Sequence, residues 1–271
     1  MHSRFINPYT DYGFKKLFGE EGSKPLLIDF LNEMLPEQHR IADLSFHPSE
    51  RSGETEASRK AIFDIYCRSS SGERFIVEMQ KAEQDYFKDR MVYYSTFPIC
   101  EQATRGDWNF KLAAVYCIGV LNFEFDLPGA EQQVLNWVQL KNDRNEVFFD
   151  KLTYIYLQMP AFTKNEAELT TRFDKWLYFL KNLEDFDEIP NILNEPVFLE
   201  GFKRAEIAKF NQAELAEYEE SLKVLRDLVN VVDSAHRRGR EEGREEGLAL
   251  ALARAVANGL PEAEARRMLG L

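Results

Sequence analysis

Two acids and an amide interrupt an otherwise β-rich hairpin in the first half of the chain. Asp64 precedes a Ser/Gly turn, and Glu78 and Gln80 follow it. A turn centred on Ser71 pairs residue 64 with residue 78, so the two carboxylates are expected on one face, with Cβ atoms about 4.5–5.5 Å apart. Carboxylate oxygens are good ligands for hard divalent cations, so this spacing predicts that Asp64 and Glu78 share one such ion.

Strand alternation predicts what the two faces of this hairpin carry. Gln80 lies two residues after Glu78 and therefore on the same face, whereas the adjacent Lys81 is expected on the other face. Two facing carboxylates repel each other unless a cation or a shared proton compensates. The alternative is an ordinary solvated polar face, which is common in antiparallel sheets. The opposite face is predicted to belong to the core through four apolar residues: Phe63, Ile65, Val77 and Met79.

A first helix is predicted directly after Thr10, which is a suitable N-cap residue. Asp11 then stands in the first turn, where the helix dipole favours a carboxylate. The functional alternative is that Asp11 helps to hold a metal ion or water. Lys15, four residues later on the same helix face, is placed to pair with Asp11 or to contact a phosphate.

The segment from Glu83 to Arg105 has a helical pattern and follows the hairpin. Arg90 and Tyr94 are neighbours at positions i and i+4 on this helix. One interpretation is a structural ion pair or a stacked ring. The other places Arg90 against a DNA phosphate or against a carboxylate of the site.

The remaining pattern predicts an α/β fold in which helices flank a mixed β-sheet. A helix is predicted from Ser23 to Leu35, and the long apolar run at 111–125 suits a central strand buried on both faces. Further strands are expected at 41–47, 134–140 and 152–159, and helices at 167–183 and 196–235. We therefore expect a core over residues 1–160, a helical region packed on or beside it over 161–235, and a charged helical tail over 236–271 in which the run 236–247 is only marginally helical.

The composition limits the classes of function. The 271 residues carry a net charge of −12, which argues against a general nucleic-acid coat, yet residues 1–120 hold 15 basic and 18 acidic residues and are nearly balanced. Three cysteines without metal-type spacing predict buried thiols, namely Cys67, Cys100 and Cys117. Without a long apolar run or a signal-like start, a cytoplasmic protein without membrane contact is expected.

The Asp64, Glu78 and Gln80 pattern resembles the active-site signature of the PD-(D/E)XK nuclease superfamily, and more closely its recombination-promoting nuclease and putative transposase branch. The likeness extends to the opening motif at 7–19, the helix at 26–32, and the Arg90/Tyr94 pair, and loosely to the Gly/charge run at 239–247. Where many members of the superfamily carry Lys, this chain has Gln80, as is usual in this branch. The replacement removes a cation that could stabilise the attacking hydroxide or the transition state.

The resemblance implies a restriction-endonuclease-like core and a metal-dependent DNA endonuclease that serves recombination or transposition. It implies Mg²⁺ or Mn²⁺ on Asp64 and Glu78, an orienting role for Gln80, and assistance from Asp11 and Lys15. Arg90 and Tyr94 would then contact DNA, and the helical C-terminal region is a candidate surface for a homo-oligomer. The alternative is a catalytically inactive nuclease-fold module that binds DNA or protein.

Overall fold

Eight strands build two sheets in the first of two units. The computed structural model describes residues 3–51, 61–104, 106–124 and 133–271, and the chain divides into the units Met1–Leu225 and Arg226–Leu271. In chain order the strands are β1 (Leu44–His47), β2 (Glu50–Arg51), β3 (Ala61–Ile62), β4 (Ile65–Ser69), β5 (Arg74–Gln80), β6 (Val115–Leu121), β7 (Leu135–Lys141) and β8 (Val147–Gln158).

Six of these strands form one mixed sheet in the order β1-β4-β5-β6-β8-β7. The β4–β5 hairpin is antiparallel, whereas β5, β6 and β8 run parallel to one another. Gly72 has a φ of 107° in the hairpin turn, and the predicted pairing of Ile65 with Val77 and of Cys67 with Phe75 is confirmed, whereas residues 64 and 78 do not pair in the ladder. All seven residues of β6 are buried, as expected of a strand covered on both faces.

Helices cover both faces of the sheet or follow it in the chain. Thr10 caps the first of them as predicted, since its side-chain oxygen accepts a hydrogen bond of 2.9 Å from the Gly13 amide. The helices are α1 (Asp11–Phe18), α2 (Lys24–Asn32), α3 (Phe87–Cys100), α4 (Arg172–Asn182), α5 (Pro196–Ala205), α6 (Gln212–Ala257) and α7 (Glu262–Leu269). Among the described residues, no helix is both long and apolar enough to span a membrane.

Alternate residues of the central strands enter two separate cores. Val77 and Ile118 belong to the core that α1, α2, α4 and α5 complete, and we call this face of the sheet the α1 side. Ile76 and Cys117 belong to the core that α3 completes, and we call this face the α3 side. The predicted α/β class, a mixed sheet flanked by helices with a helical C-terminal extension, is therefore confirmed.

Two helical segments differ from the predicted pattern. The helix expected over 196–235 is interrupted between α5 and α6, because Glu206 forms a bridge with Phe5 and the Ile207 amide donates to the Arg4 carbonyl at 3.1 Å. The charged run 236–247 is continuous helix within α6. Its Glu and Arg residues favour helix strongly enough to offset the cost of the glycines. The predicted boundaries at residues 160 and 235 remain a prediction.

Gly13 is the position at which the opening motif tolerates no side chain. A Cβ added there would lie 2.2 Å from the Asn7 carbonyl oxygen, which is backbone and cannot rotate away. We therefore expect Gly13→Ala to lower the free energy of unfolding by about 1–3 kcal/mol, or the melting temperature by about 2–12 °C. The control is Gly243→Ala, whose Cβ would meet no atom within 4 Å. A melting temperature unchanged in Gly13→Ala would contradict this account.

Candidate active site at the end of the β4–β5 hairpin

Asp64 and Glu78 are joined by two hydrogen bonds in which each carboxylate accepts from a backbone amide. The Asp64 amide donates to Glu78 Oε1 at 3.1 Å. The Met79 amide donates to Asp64 Oδ2 at 2.7 Å. The first bond holds the Glu78 carboxylate beside the Asp64 backbone, and the second holds the Asp64 carboxylate against β5. The structure therefore brings the two predicted acids together through the backbone.

The local geometry differs from a simple continuation of the ladder. The paired register ends at Ile65 opposite Val77, so Asp64 lies one residue outside β4. The chain turns away at this point because β3 pairs with β2 and the Phe63 amide donates to the Ser49 carbonyl at 2.9 Å. The prediction that Phe63 shares a core face with Ile65 is wrong, since Phe63 packs on the α3 side.

The environment of Glu78 favours its protonated form. Its side chain is only 6% exposed. Burial, and after it the negative charge of Asp64, raise the pKa of Glu78 to about 8 against the lowering effects of the Asp64 amide and of Arg90. At neutral pH and without a cation, these effects therefore favour a shared proton on the acid pair, at Glu78.

The Asp64 carboxyl is subject to the same opposing influences. Burial raises its pKa first, and the charge of Asp11 adds to this effect. The Met79 amide opposes the shift, as do the cations of Lys15 and Lys81. The acid pair is therefore surrounded by cations that only partly compensate its burial.

Gln80 is buried at 7% exposure and is held at both ends of its amide. Its Nε2 donates to the Ala82 carbonyl at 3.0 Å, and its Oε1 accepts from the Arg90 guanidinium. A second Arg90 nitrogen donates to Gln84 Oε1 at 2.7 Å. Arg90 thus fixes the orientation of Gln80, which sits on the same strand as Glu78.

Arg90 also stacks on aromatic rings of its own helix. Its guanidinium carbon lies 5.2 Å from the Phe87 ring centroid and 6.0 Å from that of Tyr94. Its Nε is buried, and in the described part of the chain it has no hydrogen-bond partner. Of the two interpretations of the Arg90/Tyr94 pair, the structure contains the stacked ring together with an attraction of Arg90 to Glu78. A DNA contact of either residue stays a prediction.

Asp11 and Lys15 approach the acids from the α1 side. They form an ion pair of 3.1 Å on an exposed face of α1, and both act electrostatically on Asp64. They line a surface pocket of about 520 Å³ together with Lys81. Lys81, which the sequence placed apart from the Asp11 and Lys15 pair, therefore lies at the same opening.

Lys81 is the residue of this site that sequence reasoning passed over. The sequence predicts Lys81 on the face opposite Gln80, and therefore away from the two acids. That face is the α1 side, to which Met79 also belongs, and it brings Lys81 into the pocket with Asp11 and Lys15. The signal was present in the sequence, because alternation of β5 and the expected proximity of the first helix together place Lys81 there.

The two carboxylates fit a hard divalent cation. The backbone hydrogen bonds use Oε1 of Glu78 and Oδ2 of Asp64, so the second oxygen of each carboxylate can serve as a metal ligand. A cation would also offset the burial of two like charges. Mg²⁺ typically binds to one or two carboxylates and keeps several waters, which suits a two-acid set. Within the described residues, no group of three His, Cys, Asp or Glu side chains could hold a metal ion.

The cysteines do not contribute to this donor set. Cys67 and Cys117 are buried free thiols, as predicted. Burial raises the pKa of the Cys67 thiol to about 12, which keeps it protonated. Cys100 is exposed, contrary to prediction, because it is the last residue of α3 and lies beyond the part of the helix that packs on the sheet.

The mixed sheet, its flanking helices and the acid pair beside Gln80 are consistent with the fold of PD-(D/E)XK nucleases. The family model described as PD-(D/E)XK nuclease family transposase matches residues 8–235. This chain therefore belongs to that family. No curated protein and no solved structure gave a significant match to it.

The burial of Glu78 makes a prediction about the metal-free protein. The pKa of Glu78 is about 8 in the fold against an ordinary value of 4.5, so the unfolded chain binds fewer protons between these values. The contribution of Glu78 protonation to the free energy of unfolding is then fully present below about pH 4.5 and is lost as the pH rises through about 8. In EDTA, the melting temperature of wild type should fall over this range, whereas that of Glu78→Gln should fall less and exceed wild type at pH 8.5.

The control for this measurement is Glu37→Gln, which changes an exposed carboxylate of the same unit. It should follow the wild-type pH dependence. Parallel curves for wild type and Glu78→Gln would show that Glu78 is ionised in the fold and would remove this argument for a cation.

Proposed function

We propose that this protein is a metal-dependent DNA endonuclease that hydrolyses phosphodiester bonds in recombination or transposition. The observation that carries the proposal is the acid pair of buried Glu78 and partly buried Asp64, held together by backbone amides at the end of the central hairpin. Membership of the nuclease family supports the same chemistry.

The proposal assigns the metal ion, Mg²⁺ or Mn²⁺, to the free oxygens of these two acids. When bound, such a cation lowers the pKa of water and stabilises charge on a phosphoryl group. Gln80, oriented by Arg90, would orient water or a phosphate oxygen through the amide N–H that does not bind Ala82. Asp11 and Lys15 assist from the α1 side, where both already act on Asp64.

DNA is the proposed partner, and the cytoplasm is the proposed location. Arg90 and Tyr94 remain candidates for contact with DNA, although two Arg90 nitrogens already bind glutamines. A homo-oligomer through the helical C-terminal region is also part of the proposal. Exposed apolar residues on α6 and α7 support it, including Val231 at 66% and Met268 at 75% exposure.

A nuclease-fold module without catalysis is the second candidate. The specific observation in its favour is that both ends of the Gln80 amide are engaged within the protein. No cation replaces the missing motif lysine at that position. The net charge of −12 adds weight to this alternative, since DNA binding relies on Lys and Arg.

Plasmid cleavage tests the first candidate against the second. Wild type with Mg²⁺ or Mn²⁺ should nick or cut supercoiled plasmid, and Asp64→Ala should abolish cleavage, because it removes one of two metal ligands. Asp143, an exposed residue between β7 and β8, provides the matched control, and Asp143→Ala should cut as wild type does. Equal cutting by Asp64→Ala would reject the assigned site.

Calorimetric titration tests the metal site without reference to activity. At pH 7, binding of Mn²⁺ should release close to one proton, because the pKa of Glu78 is about 8 in the free protein and the ligand must be ionised. The heat should therefore differ between two buffers of different ionisation enthalpy. Asp64→Asn should weaken binding by at least about tenfold, and the absence of binding to wild type would favour the non-catalytic module.

A further inference from the structure

We propose that Lys81 forms a phosphate-binding subsite beside Asp64 and supplies, from the α1 side, the positive charge that Gln80 does not carry. The ligand is one phosphodiester group of DNA. The inference rests on the proposed function for its substrate class, but it concerns a residue that the Asp64, Glu78 and Gln80 signature does not include.

Within the described residues, Lys81 differs from the other lysines of the pocket in having no ion-pair partner. Lys15 pairs with Asp11 at 3.1 Å, and Lys16 pairs with Glu214 at 2.6 Å. Over residues 3–51, 61–104, 106–124 and 133–271, Lys81 forms no ion pair or hydrogen bond. Among the described side chains of this pocket, its half-buried ammonium is therefore the cation that remains available for an anion.

The distances to the nearby acids leave room for such an anion. Asp11 and Asp64 both attract Lys81, yet neither lies within the 4 Å of an ion pair in the described structure. A cation held near two acids without contact with them leaves a gap between the charges. A phosphate oxygen that enters from solvent is of the right charge to contact Lys81, and a divalent cation on Asp64 and Glu78 would offset its repulsion by the acids.

The pocket also has suitable size and position. Its volume of about 520 Å³ accommodates a phosphodiester group with adjoining sugar atoms, and its described lining holds three lysines and four acids, with Lys81 directly after β5. Gln80 is held toward the α3 side by Arg90, whereas Lys81 lines the α1 side. A phosphate bound at this end of β5 would thus have Lys81 on one side and the cation held by Asp64 and Glu78 on another.

The salt dependence of DNA binding tests the subsite independently of cleavage. Binding of a fluorescein-labelled 20-base-pair duplex is measured in the Asp64→Asn background with EDTA at several salt concentrations. Adding Lys81→Gln should weaken binding and reduce the slope of log K against log salt by about 0.9, the value for one lost phosphate contact. Lys81→Arg should keep the slope, and so should Lys111→Gln, which removes an exposed lysine elsewhere.

Cleavage by the otherwise wild-type protein then separates this inference from the proposed function. Lys81→Gln should lower the cleavage rate about 10²-fold with Mn²⁺ affinity unchanged, and Lys81→Arg should retain most of it. A reduced slope in a protein that never cuts DNA would support the subsite and reject hydrolysis. An unchanged slope, or no DNA binding at all, would overturn the subsite, and melting temperatures within about 2 °C of wild type would exclude misfolding as the cause.

Discussion

The repulsion between two neighbouring carboxylates, buried Glu78 and partly buried Asp64, is the constraint on which the rest of this site depends. Glu78 accepts a hydrogen bond from the Asp64 amide, and Asp64 accepts one from the amide of Met79, the residue after Glu78. These bonds favour ionised carboxylates, whereas burial opposes ionisation, and burial prevails at Glu78. The fold thus holds two acids close together in a place where water stabilises them poorly. Such an arrangement is costly without a compensating cation.

The architecture delivers compensating groups from both faces of the sheet. Arg90 reaches Glu78 from the α3 side, and Lys15 and Lys81 act on Asp64 from the α1 side. The convergence requires that β5 end at Gln80 between the two layers of helices. Parallel pairing of β5 with β6 buries the strand on both faces and so keeps its end in a fixed position. The site therefore depends on both cores, although its acids occupy only the end of one hairpin.

Alternation and turn chemistry predicted the parts of this site that depend on local structure. Gly72 at positive φ determines the hairpin register, and that register brings residue 64 close to residue 78. The departure of Asp64 from the ladder was not predictable in the same way. It depends on the pairing of β3 with β2 and on the bond from Phe63 to Ser49, which join residues distant from the turn. The position of Lys81 depends on which helix covers its face, and that is a property of tertiary packing.

The hydrogen bond from Arg90 gives a physical reason for glutamine at position 80. A lysine there would place a buried ammonium beside the Arg90 guanidinium, and two like charges at low exposure repel strongly. Glutamine instead accepts a hydrogen bond from Arg90 and donates one to Ala82. Arg90 already brings positive charge to Glu78 on this side, so a lysine on the other face avoids repulsion by Arg90. The α1 side, where Asp11 and Asp64 attract Lys81, is where that charge can lie.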